Sequence, residues 1–142
     1  MRAAVLTENH TFEVADVPDP SPGPDELVLR VNACGICGSD LKAHTMLPAG
    51  SVLGHEFSGE VVAVGAGSSG KWREGQHAAA LPLTACGVCR WCLADEPAHC
   101  ARVDLFGMGA TPGAFAEYVR VAAAQTVPLD PALGRLGALV EP

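Results

Sequence analysis

Four cysteines, Cys86, Cys89, Cys92 and Cys100, follow the spacing C-x2-C-x2-C-x7-C, with Gly87 available for a tight turn between the first two. Four thiolates brought to one point suit a closed tetrahedral zinc site with Zn–S distances of about 2.3 Å, which leaves no position for a substrate and therefore implies a structural role. An iron–sulfur cluster fits less well. The bacterial ferredoxin run needs its fourth cysteine three residues on and followed by proline, whereas here it lies seven on and precedes Ala101. Core cysteines would need no such regular spacing. A second group lies upstream, in Cys34-Gly35-Ile36-Cys37-Gly38-Ser39-Asp40 and Gly54-His55-Glu56-Phe57-Ser58-Gly59. Cys37, His55 and Glu56 offer a thiolate, an imidazole and a carboxylate, a mixed set that zinc accepts where a position must stay open for chemistry. Taken alone, one cysteine and one histidine read more often as core residues.

The elements that would hold these groups are short strands. Glu26–Ala33 alternates so that Leu27, Leu29, Val31 and Ala33 share one face, the pattern of a half-buried strand. Further strands are expected at Arg2–Leu6, Phe57–Val64, His77–Leu81 and Phe115–Val121, each bounded by glycine or proline. Pro18, Pro20, Pro22, Gly23 and Pro24 make an extended loop in which neither helix nor sheet propagates. Asp130-Pro131-Ala132-Leu133 reads as a helix start, with Asp130 as cap and Pro131 in the first turn. The pattern predicts a mostly β domain, a barrel or a sandwich.

Composition narrows the function classes. The chain has 142 residues, 49% apolar and 18% charged, with 16 glycines, 11 prolines and a net charge of −7. That length suits one domain with its own core. The nine basic residues are scattered, which offers no track for nucleic-acid phosphates. No apolar run approaches the roughly 18 residues of a membrane span. The N-terminus lacks the long apolar stretch of a secretory signal, so the cytoplasm is the expected compartment, and the six cysteines there read as ligands or core residues rather than disulfides.

Two glycine motifs are refused. Gly65-Ala66-Gly67-Ser68-Ser69-Gly70 spells a dinucleotide fingerprint, but no helix pattern follows and the position of the expected acidic residue falls inside the cysteine group. With Lys71 the run nearly spells a P-loop, but Trp72 stands where the magnesium-binding hydroxyl is required. A turn is the expected structure.

The two metal-ligand stretches together resemble the zinc-dependent medium-chain alcohol dehydrogenases. Gly54, His55, Glu56, Gly59, Gly65 and Ser68 meet each position of that family's signature, G-H-E-x2-G-x5-G-x2 and a small residue, and Gly113-Ala114-Phe115-Ala116-Glu117-Tyr118-Val119 resembles its strand after the cysteine lobe. The resemblance implies a GroES-like β-barrel over residues 1–142, with short helices and a zinc lobe at about 84–102, and a separate nucleotide-binding Rossmann domain absent from this chain. It implies a structural zinc at Cys86, Cys89, Cys92 and Cys100 and a catalytic zinc at Cys37 and His55. The third catalytic ligand is Glu56 or Glu141, since Leu139-Val140-Glu141-Pro142 resembles the glutamate form of the polyol, threonine and butanediol dehydrogenases. Asp40 matches the carboxylate that orients the ligand histidine, and Ser39 the hydroxyl that passes the alcohol proton outward. Lys42 stands where many relatives carry the histidine that ends the relay, so Lys42 or His44 is the candidate terminus. Cys34 has no family role and is expected to be a small buried residue. The implied reaction is zinc-assisted hydride transfer between a secondary alcohol or polyol (or its ketone) and NAD or NADP, in a homodimer or homotetramer, with this fragment alone inert. The contrasting expectation is a zinc-stabilised, non-catalytic binding module, which would leave Cys37, Ser39, Asp40 and His55 without work.

Overall fold

The computed structural model describes residues 1–108 and 110–140. Strands β1 (Arg2–Leu6) and β2 (Phe12–Asp16) form a hairpin. Then come β3 (Glu26–Cys34), the short helix α1 (Asp40–Ala43), β4 (Phe57–Val64) and β5 (His77–Ala80). The strands β6 (Leu83–Thr84) and β7 (Asp104–Leu105) flank α2 (Arg90–Leu93), and β8 (Tyr118–Ala122) and β9 (Thr126–Leu129) precede a terminal 3₁₀ segment, Pro131–Val140. The main sheet is antiparallel in the order β8-β3-β4-β5-β9. Isolated bridges Ala3↔Ala116 and Val5↔Val52 tie the hairpin to the segments that lead into β8 and β4. This is the mostly β architecture that the strand pattern predicts, with the short helices that the family resemblance implies.

The alternation in β3 places Leu27 and Leu29 in a core with Phe57, Val61, Ala78, Val119 and Val121. Phe57 and Phe106 meet edge to face, with ring centroids 5.7 Å apart, a favoured geometry for aromatic quadrupoles. Val28, on the opposite face, is buried as well, because the terminal segment packs over β3, β4 and β5. In that segment Gly137 lies against Ser58 and Leu129. Asp130 accepts the Ala132 N–H at 2.8 Å as the capping pattern predicts, but the turns that follow are 3₁₀ and break at Gly134 (φ 50°).

The strand expected from Phe115 enters the ladder only at Tyr118. Residues 113–115 are taken by another partner: Gly113, Ala114 and Phe115 donate to the carbonyls of Val52, Gly54 and Leu53. The glycine run after β4 is a turn, with Gly65 N–H bonded to Glu26 O and Gly67 N–H to Pro24 O, and it delivers Trp72 into the core. A Cβ at Gly65 would run into the carbonyl oxygens of Gly23 and Pro24. Backbone cannot retreat as a side chain can, so Gly65→Ala should cost about 1–3 kcal/mol of unfolding free energy. The exposed Ser69→Ala in the same turn should stay within about 0.5 kcal/mol of the parent, both read from denaturant unfolding.

Candidate metal centres

The rung pairing Cys34 of β3 with Phe57 of β4 sets the first centre. Chain leaving β3 and chain entering β4 diverge from that rung, and the Gly35 N–H extends the pairing by one bond to Glu56 O at 2.7 Å. Cys37 is therefore carried opposite His55 and Glu56. One donor atom from each of the three lies within 4.8 Å of the others. His55 is buried, while Cys37 and Glu56 are half-buried and open to approach from one side. Gly54 delivers His55 with φ +98°, a conformation L side chains rarely adopt, and a Cβ there would strike the Phe115 ring and the Cys34 sulfur.

Asp40 and Ser39 bracket the His55 ring. The Asp40 side chain, 3% exposed, accepts the Cys37 N–H on Oδ2 at 2.8 Å. Its Oδ1 lies 3.3 Å from His55 Nδ1, close enough for charge attraction although the two atoms are not aligned for a hydrogen bond. Ser39 Oγ sits 3.3 Å from His55 Nε2. It occupies the N-cap of α1 yet makes no side-chain capping bond, which leaves the hydroxyl free toward the ring. With Nδ1 turned to a buried carboxylate, Nε2 is the nitrogen available to a metal, and the sulfur, nitrogen and oxygen donor set fits zinc.

The remaining sequence candidates fall nearby. Lys42 is exposed on α1. His44 caps the end of α1, accepts on its carbonyl from His10 Nδ1 at 2.9 Å, and faces Phe12 across 6.5 Å between rings. Both histidines line a cleft of about 630 Å³ with Phe12, Ile36, Leu41 and Phe115. Glu141 lies outside the described residues. Cys34 is half-buried rather than buried, and burial together with the negative charge of Asp40 pushes its thiol up to about 12. It stays protonated at neutral pH and offers no thiolate.

The second centre sits on a lobe closed at its neck by the β6–β7 pair, Leu83↔Leu105 and Thr84↔Asp104. Cys86, Cys89, Cys92 and Cys100 place their sulfurs within 4.8 Å of one another. Cys92 is central, 3.5 Å from the Cys89 sulfur and 3.8 Å from that of Cys86. Gly87 turns the chain at φ +72°. The Val88 N–H and the Arg102 side chain draw the Cys86 thiol down to about 5, while burial pushes Cys92 up to about 11. Apolar side chains of the lobe point outward, Val88 and Leu93 among them. A loop that buries so little needs another source of order, and four metal bonds would supply it. Arg102 was not legible as part of this centre, its one sequence signal being a cation two residues past Cys100.

Residues 23–131 match the alcohol dehydrogenase GroES-like domain. The chain belongs to that family. It is 39% identical over 126 residues to an L-threonine 3-dehydrogenase of Saccharopolyspora erythraea, covering 83% of this chain and 36% of that protein. Among solved structures it resembles galactitol-1-phosphate dehydrogenase from Escherichia coli (TM-score 0.86, 32% identity, 98% of this chain and 41% of that one). It also resembles acetophenone reductase from Geotrichum candidum in complex with NAD (TM-score 0.83, 32% identity, 97% and 42%). The GroES-like domain thus spans less than half the length of each of these relatives. Among its described residues no helix is long and apolar enough to cross a membrane.

The two centres of this GroES-like domain should respond differently to loss of a ligand. Elemental analysis should find two zinc ions per chain. Cys92→Ser should lower the melting temperature markedly, because the lobe has little else to hold it, whereas Cys37→Ser should mainly remove the other metal. Equal thermal shifts, or iron with labile sulfide in place of zinc, would overturn the assignment.

Proposed function

We propose that residues 1–142 form the catalytic domain of a zinc-dependent medium-chain dehydrogenase whose nucleotide-binding domain lies elsewhere in the parent protein. The observation that carries this reading is the convergence of Cys37, His55 and Glu56 within 4.8 Å, with Ser39 and Asp40 on the two nitrogens of the same imidazole. The parent enzyme would oxidise a secondary alcohol or polyol, or reduce the ketone, with NAD or NADP as hydride carrier. Relatives that act on threonine or on a sugar-alcohol phosphate, and one solved with NAD, support that class. On this reading Cys86, Cys89, Cys92 and Cys100 hold a structural zinc, and Cys37 and His55 with Glu56 or Glu141 hold the catalytic one. A homodimer or homotetramer in the cytoplasm is part of the same proposal. A purely structural zinc module would require only the lobe and would give Asp40 no reason to be buried against His55.

Bound at the first centre, zinc would supply a Lewis acid that polarises an alcohol or carbonyl oxygen. The chain's own residues do the rest. Asp40, buried 3.3 Å from Nδ1 of His55, favours by charge attraction the tautomer that carries its proton on that nitrogen, so that Nε2 presents its lone pair. Its second oxygen holds the Cys37 backbone, and the two donors are thereby set by one carboxylate. Ser39, whose hydroxyl both donates and accepts, stands at the open side of the ring to take the proton released when an alcohol is oxidised. Lys42 and His44, on the same short helix, are the candidates to carry it to water.

In the complete enzyme Ser39→Ala should lower turnover about 10²- to 10⁴-fold, the usual cost of losing a positioned proton-transfer group, with zinc content unchanged. Replacing Lys42 or His44 by alanine should cost less, because water reaches that end of the path. Turnover against pH, with bound zinc measured for each variant, makes the comparison. Parent-like turnover in Ser39→Ala would remove the relay. The parent protein should oxidise members of a panel of secondary alcohols and polyols with NAD or NADP while residues 1–142 alone do not, and failure of the parent on the whole panel would overturn the reading.

A further inference from the structure

Helix α1 is a single turn, and of its four residues only Asp40 is buried, while Leu41 is 66% exposed. A helix this short does not hold itself, because nucleation costs more than one turn of backbone bonds returns. Yet it carries the carboxylate that bonds the Cys37 N–H and faces His55 Nδ1, and it begins beside the Ser39 hydroxyl that faces Nε2. Its far end is gripped by the turn of the β1–β2 hairpin. The His44 carbonyl, which can only accept, takes a hydrogen bond from His10 Nδ1 at 2.9 Å, so that nitrogen carries a proton. Two residues on, the Phe12 ring stands 6.5 Å from the His44 ring and meets Phe115 edge to face at 6.3 Å. Phe115 in turn packs on Gly54, where a Cβ would strike its ring, immediately before His55.

The hairpin turn itself does not call for histidine. Thr7 and Thr11 close it, with Thr7 N–H on Thr11 O at 2.8 Å, His10 N–H on Thr7 O at 3.0 Å and the two hydroxyls 2.8 Å apart. His10 stands at φ +56°, in the left-handed position that ends such a three-residue loop and that glycine fills with least strain. A side chain kept there against that strain is explained by what its ring reaches. We infer that the hairpin turn is a latch on α1, with His10 and Phe12 as positioning residues that keep Asp40 and Ser39 against His55. Its consequence for a metal rests on reading Cys37, His55 and Glu56 as a zinc centre; the contact itself does not.

Amide hydrogen exchange reads the latch directly, because the Cys37 N–H is bonded to Asp40 Oδ2 and the His44 N–H to Asp40 O. His10→Gly suits the turn and removes the ring. Exchange at Cys37 and His44 should then speed about 3- to 10-fold, the effect of one lost hydrogen bond on a local opening, while the Thr7 amide stays protected in the hairpin. Phe12→Leu should act in the same direction, and Phe12→Tyr, which keeps the ring, should exchange as the unsubstituted protein does. In zinc-loaded protein, excess EDTA should draw out metal in a phase that Cys37→Ser abolishes. His10→Gly should speed that phase in the unsubstituted background and leave it unchanged in Asp40→Asn, because the latch acts through Asp40. Unaltered exchange at Cys37 and His44 in His10→Gly, with Thr7 still protected, would overturn the latch. Should that variant fail to fold, unaltered exchange in Phe12→Leu would overturn it equally. Additive effects of His10→Gly and Asp40→Asn on metal release would overturn the route through Asp40. An unsubstituted protein that holds no zinc at the first centre, while His10→Gly still speeds exchange, would overturn the metal reading and leave the latch standing.

Discussion

The rung between Cys34 and Phe57 is the constraint on which the rest of this domain depends. Two strands paired there send their chains apart on the same side, and the next residues on each carry the donors. Every other feature near the first centre serves that divergence. Gly35 adds one more backbone bond, Gly54 bends in a region closed to side chains, and Asp40 takes hold of the loop on one side and the ring on the other. A slip of one residue in this register would turn His55 away from Cys37 and bury polar atoms on the core face. The paired core residues Leu29 and Val61 are fully buried and hold the register that brings the three donors together.

The two centres solve the same problem in opposite ways. The first borrows order from the sheet, so its ligands can be few and one side can stay open. Among the described residues the strand pairing beneath the lobe is the two-rung neck of β6 and β7. On the proposed reading the lobe's sulfurs would order the loop as well as hold the ion, which takes all four positions and leaves none for chemistry.

What the sequence made legible follows from the same division. The strands β3 and β4 could be read because their apolar faces are buried and bounded by turn residues. The strand β2 could not, since Phe12 and Val14 both face solvent and leave no alternation to find. Pro128 disguised β9, which tolerates it as an edge strand of the sheet. Phe115 looked like the start of a strand, but its backbone bonds went to Leu53 and β1, a long-range choice that no local pattern encodes. Candidate ligands were legible because metal chemistry restricts residue type and spacing. The surroundings of Cys34 were not: only folding puts Asp40 and Glu56 beside it and keeps the thiol neutral.

One feature of the first centre sets how it can change. Asp40 reaches two candidate ligands on two segments through its two oxygens, the Cys37 backbone through Oδ2 and the His55 ring through Oδ1. The Cys37 N–H is a backbone group and stays on Oδ2 whatever side chain stands at 37, whereas losing the His55 ring leaves Oδ1 buried with nothing charged opposite it. Paired changes at Asp40 and His55 should therefore depart from additivity. For a lineage of such domains this makes the centre difficult to dismantle gradually: the metal, the ring and the carboxylate tend to persist together or to be lost together.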